Sequence, residues 1–334
     1  MMGIVVDAKP KKIKNDSLNL TILEGLLSDG RKAFADIAKE NNTSKDVIAK
    51  RFKQLKAKGV ILGFTTQNSP RCFDSNFIAN LRIQVQRGKI EPTIQAVNMI
   101  PNVIHAFPSA VPQAVLTEVA LKNIGELEAV QKLVQSQPYV LGTDVTIWTG
   151  MRNTPENLSI FNTEEQVAKK PTEETASHRR KTDIEIDDID RAIINKLSLN
   201  GRMPFAEIAD PLGVSTETIV RRYEKLRENG DLKIVVQIDP TKIGYYAFGI
   251  FNFSFSQEAL ADNIEKISKT HDVNRIIKSA GYQDLTFTLM IRDINHFIEM
   301  QEEMAVLPNI TKIDVRIARM LCPWPIQREF ISTF

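Results

Sequence analysis

Apolar residues recur at helical spacing in three short runs near the start of the chain. In the first, Leu18, Ile22, Leu23 and Leu26 share a face, with Asp16 or Ser17 placed to cap the helix and Asp29-Gly30 to end it. The second, near Phe34–Glu40, turns Phe34, Ile37 and Ala38 inward. Thr43 is placed to cap the third, with Asp46 three residues on as in a capping box. Val47, Ile48, Phe52 and Leu55 then face inward, and Gly59 supplies a left-handed stop. Residues 60–67 read as a strand in the position of a wing. Three short helices with a tight turn before the third predict a helix-turn-helix, whose third helix enters the major groove of DNA.

Beyond residue 67 the periodicity alternates. Strand patterns at 77–85, 103–107, 114–121 and 139–147 enclose helical patterns at 90–99 and 124–134. The order β-α-β-β-α-β is the ferredoxin-like plan, with helices on one face of a sheet. The other face is left bare, which predicts sheet-to-sheet pairing of two such domains. The same series returns as strands at 247–255, 273–278, 285–291 and 310–318 and helices at 259–268 and 294–304.

The recurrence is a sequence repeat. Positions 18–61 align with 189–232 at an offset of 171 with 13 identities, among them Gly30/Gly201, Arg31/Arg202, Phe34/Phe205, Ser44/Ser215, Arg51/Arg222 and Gly59/Gly230. At an offset of 170, Val103/Val273, Ser109-Ala110/Ser279-Ala280, Gln113/Gln283 and Pro138/Pro308 pair. The chain thus reads as a tandem duplication of a two-part unit. The predicted fold class is α+β, with two winged helix-turn-helix domains alternating with two ferredoxin-like (βαββαβ) effector domains. Residues 1–66 hold a basic tail and the first head, and 67–150 the first effector and dimerisation domain. Residues 151–182 form a polar linker, 183–240 the second head, and 241–334 the second effector domain with a C-terminal tail. About 32 flexible residues span roughly 30 Å.

Composition narrows the classes. At 334 residues, 43% hydrophobic and 25% charged, the chain is globular. Two cysteines, Cys72 and Cys322, make no disulfide framework and suit a reducing compartment. With no secretory signal pattern and no run of 18 apolar residues, a soluble, cytoplasmic protein without membrane contact is expected. The net charge of +2 conceals a cancellation. Residues 1–65 carry 13 basic and 7 acidic groups, including Lys9, Lys11, Lys12 and Lys14, whereas 183–240 carry 8 basic and 12 acidic.

That imbalance places the candidate DNA contacts. In the first reading helix Lys45, Lys50, Arg51, Lys53, Lys56 and Lys58 oppose Asp46 alone, an electrostatic footprint for phosphates. Ser44 and Arg31 complete the candidates of this head. The second reading helix offers Ser215, Thr216, Arg221, Arg222, Lys225 and Arg227, with Arg202 nearby, against Glu217, Glu224 and Glu228. It is expected to grip DNA more weakly. No catalytic or metal residues are assigned and no cofactor is expected. His105, His178, His271 and His296 lack zinc-ligand spacing, and neither a GxGxxG nor a phosphate loop is present. Cys322-Pro-Trp-Pro325 reads as a rigid, packing tail in which Trp324 is a candidate cap of a pocket.

The combination resembles the Lrp/AsnC (feast/famine) transcription regulators. Carrying motifs are Ile189-Asp190-Arg191, Asn200-Gly201-Arg202, Phe205-Ala206-Glu207-Ile208-Ala209, Gly213-Val214-Ser215, Arg222-Tyr223-Glu224-Lys225-Leu226 and Asp239-Pro240-Thr241-Lys242-Ile243-Gly244. The first copy keeps the frame but loses the Asp-Pro and Gly landmarks. The resemblance implies double-stranded DNA as partner, homo-oligomers formed through the effector domains, and an effector such as an amino acid. It implies an effector turn at Gly281, Tyr282, Gln283 and Asp284. Gln283 stands where an aromatic residue is usual, and the first copy has Val111-Pro112-Gln113-Ala114 instead.

Two alternatives share this architecture. Sirohaem decarboxylases resemble paired units of this kind and need His or Arg groups aimed at tetrapyrrole carboxylates. Tyr246 or Tyr282 are available, but no His- or Arg-rich cluster is visible along the sequence. The other alternative is a partner that does not bind DNA and assembles with related proteins.

Overall fold

The computed structural model describes residues 16–161 except 74, 76 and 110, residues 185–256, and residues 260–326 except 282; of 329–330 it describes the backbone. The basic tail, most of the linker, His178 and Tyr282 lie outside the described residues.

The first head consists of α1 (Ser17–Ser28), α2 (Phe34–Glu40) and α3 (Lys45–Ala57). Asp16 caps α1, its carboxylate accepting from the Leu18 N–H. The cap of α3 is Ser44 rather than Thr43, its Oγ accepting from the Val47 N–H at 3.3 Å. Asn42 occupies the left-handed region at φ 50°, which lengthens the turn by a residue and shifts the helix start. With that phase Ile48 and Leu55 are buried, while Val47, expected inside, is 39% exposed. Strand β1 (Ile61–Asn68) follows.

The first effector domain runs β2 (Phe77–Val85), α4 (Ile90–Val97), β3 (Val103–Pro108), β4 (Ala114–Leu121), α5 (Ile124–Gln135) and β5 (Val140–Asn153). The second head has α6 (Asp188–Leu199), α7 (Phe205–Leu212), α8 (Thr216–Glu228) and β6 (Leu232–Ile238). The second effector domain has β7 (Ala247–Phe255), α9 (Leu260–Lys269), β8 (Val273–Ala280), β9 (Leu285–Ile291), α10 (Ile294–Ala305) and β10 (Ile310–Arg319), with a short β11 (Glu329–Phe330). None of the described helices is long and apolar enough to cross a membrane.

The copies are built into one another. The wing strands β1 and β6 pair antiparallel with each other, Phe64 opposite Val236 and Thr66 opposite Ile234. Both heads consequently share one core, in which Leu23 and Leu26 join Ile193, Leu197, Ile234 and Val236. The effector domains also join, edge to edge: β5 pairs with β8, giving an eight-stranded sheet in the order β10-β7-β9-β8-β5-β2-β4-β3.

An equivalent seam between β10 and β3 is absent from that sheet, and the sequence explains why. Gly150–Asn153 of β5 carries the pairing with Ile276–Lys278 and Arg275. The repeat places Met320-Leu321-Cys322-Pro323 at the corresponding positions. Prolines 323 and 325 have no N–H to donate, and the chain turns away so that Trp324 bridges to Ile238 instead.

Residues 151–161, assigned from the sequence to the linker, are packed. Leu158 and Phe161 are fully buried in the shared core of the heads, and Asn157 donates to the carbonyls of Thr270 and Val273. Asp272 accepts from the Ser159 N–H and Oγ and from the Tyr245 hydroxyl. A sequence rich in polar residues with no sustained period hides such a strap, because its order comes from side chains meeting a remote domain.

Candidate nucleic-acid interface and inter-unit cavity

The two reading helices present their charged faces differently from what residue type alone implies. Lys45, Lys50, Lys53 and Lys56 on α3 and Lys58 at its C-cap are all exposed, as are Arg221, Lys225 and Arg227 on α8. Arg51 is half-buried and donates to Asp16 at 2.5 Å. Its counterpart Arg222 donates to Asp187 and Asp190 at 2.7 and 3.0 Å. Each arginine thus ties the third helix of its head to the start of the first. Burial disfavours the Arg222 cation, but the two carboxylates outweigh it and raise its pKa. Ser44 and Ser215 act as helix caps, and Thr216 is exposed in the first turn of α8.

Arg31 and Arg202, grouped with the DNA contacts from the sequence, face the opposite copy. Arg31 donates to the carbonyls of Gly201 and Met203 at 2.9 and 2.7 Å, and stacks over Phe205 and Tyr223. Arg202 donates to the carbonyls of Gly30 and Lys32 at 2.7 and 3.3 Å, and lies over Phe34, Phe52 and Phe64. Burial lowers the pKa of both, and their proximity lowers that of Arg202 further. The duplicated Gly-Arg motif is a reciprocal staple between the heads. Its arginines satisfy backbone carbonyls that the interface would otherwise strand.

The faces of the two effector domains left bare of helices line a cavity of about 800 Å³. Alternation decides its lining: Ala79, Leu81 and Ile83 of β2 face the helices, whereas Asn80 and Arg82 face the cavity. Four arginines from four places in the sequence, Arg82, Arg275, Arg316 and Arg319, come together on its wall. The expectation that no arginine cluster exists is therefore corrected; the residues are dispersed in sequence and gathered only by the sheet. Arg275 meets fully buried Glu118 at 3.2 Å and stacks on Trp148. Burial opposes ionisation of Glu118, but Arg275 and His105, the latter at 3.1 Å, outweigh it and hold its pKa at about 2. Arg82 pairs with Asp144 at 2.7 Å and Arg316 with Asp314 at 2.6 Å. Trp324 lines the same cavity, as its place in the tail suggested.

Of the described residues of the effector turn expected at 281–284, one lines the cavity. Gln283 lines it, donating to Thr286 at 2.5 Å. Gly281 takes φ +141°, a conformation that favours glycine. The Asp284 carboxylate accepts from the Phe255 N–H at 2.9 Å and so fastens the turn to β7.

Of the histidines, His105 and His296 are each set against a buried carboxylate, Glu118 and Asp272 respectively. Burial raises the Cys72 thiol to about 12. No group of metal-ligating residues is found among the described residues.

Residues 186–227 match the AsnC-type helix-turn-helix domain. The chain is 27% identical over 158 residues to an uncharacterised HTH-type transcriptional regulator of Pyrococcus horikoshii; the match covers 47% of this chain and 99% of that protein. It is 28% identical over 130 residues to the HTH-type transcriptional regulator LrpA of the same organism, covering 38% of this chain and 92% of LrpA. Nearly a whole relative thus corresponds to half of this chain or less. Among solved structures, the siroheme decarboxylase NirDL covers 96% of this chain and 94% of its own at 16% identity and a TM-score of 0.55. It has also been solved with an iron-uroporphyrin III analogue. This likeness is one of fold.

Proposed function

Because the chain belongs to the Lrp/AsnC family, we propose that it is a DNA-binding transcriptional regulator whose two heads act as a covalent pair. It is read as a non-enzymatic, cytoplasmic protein that engages double-stranded DNA and assembles further through its effector domains. The observation that carries the reading is the set of four exposed lysines on α3, with Lys58 at its C-cap, in a head fixed to a second head by strand pairing and the reciprocal arginines. Lysines held by a rigid frame supply phosphate contacts, and the N-terminal turn of α3 supplies base contacts. Lys45, Lys50, Lys53 and Lys56 are the proposed contacts of the first head, with Arg221, Lys225 and Thr216 those of the second. Arg51, Arg222, Arg31 and Arg202 position the heads. Anisotropy titration against the gene's own upstream region tests this. The expected result is sequence-dependent affinity that falls steeply with salt; binding indifferent to both overturns it.

One observation favours a second reading, catalysis on a tetrapyrrole: the arginine-lined cavity sits in a fold matched over nearly its full length by NirDL. Adding siroheme to the purified chain distinguishes the two. A shifted absorption band with release of carbon dioxide supports the enzyme, and an unchanged spectrum removes it.

A further inference from the structure

We propose that the cavity between the effector domains binds an aromatic or polycyclic carboxylic acid rather than a free amino acid. The proposal deepens the regulator reading by naming the chemical class of its effector, and it rests on that reading only for the word effector. Three features of the cavity carry it.

The first is charge. Among the guanidiniums on the wall, Arg82, Arg275 and Arg316 are each matched by a carboxylate: Asp144, Glu118 and Asp314. Arg319 lines the cavity, is exposed, and has no partner among the described residues. It lies on the same strand as Arg316, so a ligand oxyanion has one cation without a partner among the described residues and a second close by in sequence. Planar guanidiniums suit carboxylate geometry. The lining carboxylates, in contrast, already serve arginines. Glu118 is buried between Arg275 and His105, which leaves no uncommitted acid for the ammonium of an amino acid.

The second is the apolar wall. Trp148, Phe107 and Leu116 from the first copy face Phe248, Ile250 and Ile277 from the second. Aromatic and branched side chains from both sides favour a flat hydrophobic body between them.

The third is size. About 800 Å³ lies in the range that buries a drug-sized ligand, and a single amino acid would leave most of it filled with water. The site extends well beyond the turn at 281–284, of whose described residues Gln283 lines the cavity.

The experiment exploits the fact that both tryptophans of the chain, Trp148 and Trp324, line this cavity. The full chain, without DNA, is titrated with 1-anilinonaphthalene-8-sulfonate, an aromatic oxyanion that accepts energy from tryptophan. Saturable one-to-one binding with quenched tryptophan emission is expected. 2-Naphthoate should displace the dye, and phenylalanine should not. Arg319→Gln should weaken dye and naphthoate binding about tenfold, the loss of one charge-assisted contact. Since Arg319 is exposed and has no partner among the described residues, the variant should melt like the parent. Arg316→Gln with Arg319→Gln should weaken binding further. Unquenched tryptophans, displacement by phenylalanine as good as by naphthoate, or wild-type affinity in both variants overturns the proposal. DNA plays no part in this assay, so failure of the cavity and failure of the regulator reading are separate results.

Discussion

Gly30 and Gly201 occupy equivalent places in the repeat, and each abuts the inter-copy strands. A Cβ on Gly201 would lie 2.7 Å from Ile234 Cγ2 and 3.0 Å from Phe64 Cβ; one on Gly30 would lie 2.9 Å from the Val235 backbone nitrogen. Gly201→Ala should therefore cost about 1–3 kcal/mol of overpacking, seen as a lowered melting temperature. A melt unchanged from the parent contradicts the close approach. Glu118 gives a second residue-scale test. Its carboxyl ionises at about 2 in the folded chain, below the ordinary value of 4.5. A depressed acid contributes stability that is present above the unfolded pKa and lost as pH falls toward the folded one. Denaturant melts should accordingly show stability draining between about pH 4.5 and 2, and Glu118→Gln should flatten that part of the profile. The same variant should cost about 3–5 kcal/mol at neutral pH, because it leaves Arg275 buried against an uncharged partner.

At the scale of elements, the reading helices differ in what they leave free. Lys50→Ala with Lys53→Ala on α3 should weaken DNA binding more than Arg221→Ala with Lys225→Ala on α8, and should lower the salt slope by about 2. Equal losses from both pairs contradict the dominance of the first head. Arg51 and Arg222 are excluded from this comparison because they hold Asp16, Asp187 and Asp190, so their removal disturbs the heads themselves. This is where the sequence was least legible. Helices and strands followed from periodicity almost residue for residue, as Phe34–Glu40 and Ala114–Leu121 illustrate. A basic side chain, however, carries no mark of whether it meets phosphate, a carboxylate or a carbonyl. Arg31 looks like a surface cation in sequence because its acceptors, Gly201 and Met203, are about half the chain away. The cavity was hidden for the same reason: Arg82, Arg275, Arg316 and Arg319 become neighbours only once β5 has paired with β8.

At the scale of the molecule, the attachments that join the copies include the β1–β6 pairing, the β5–β8 seam, the Gly-Arg staple and the strap at 157–161, where Asn157 and Ser159 reach Thr270, Val273 and Asp272. A protease site inserted between residues 162 and 184 tests their sufficiency. After cleavage the two fragments should co-elute and retain a single cooperative melt; separation on a sizing column would show that the covalent link is needed. The β1–β6 pairing of the heads carries one further consequence. A regulator assembled from two separate chains loses its paired heads when it is scarce, because dissociation gains ground as the concentration drops. Here both heads arrive on the same polypeptide and meet at the effective concentration set by their own tether. Pairing of the two heads should then be independent of the chain's abundance, whatever larger assembly the effector domains form, so that even a scarce chain presents both heads together.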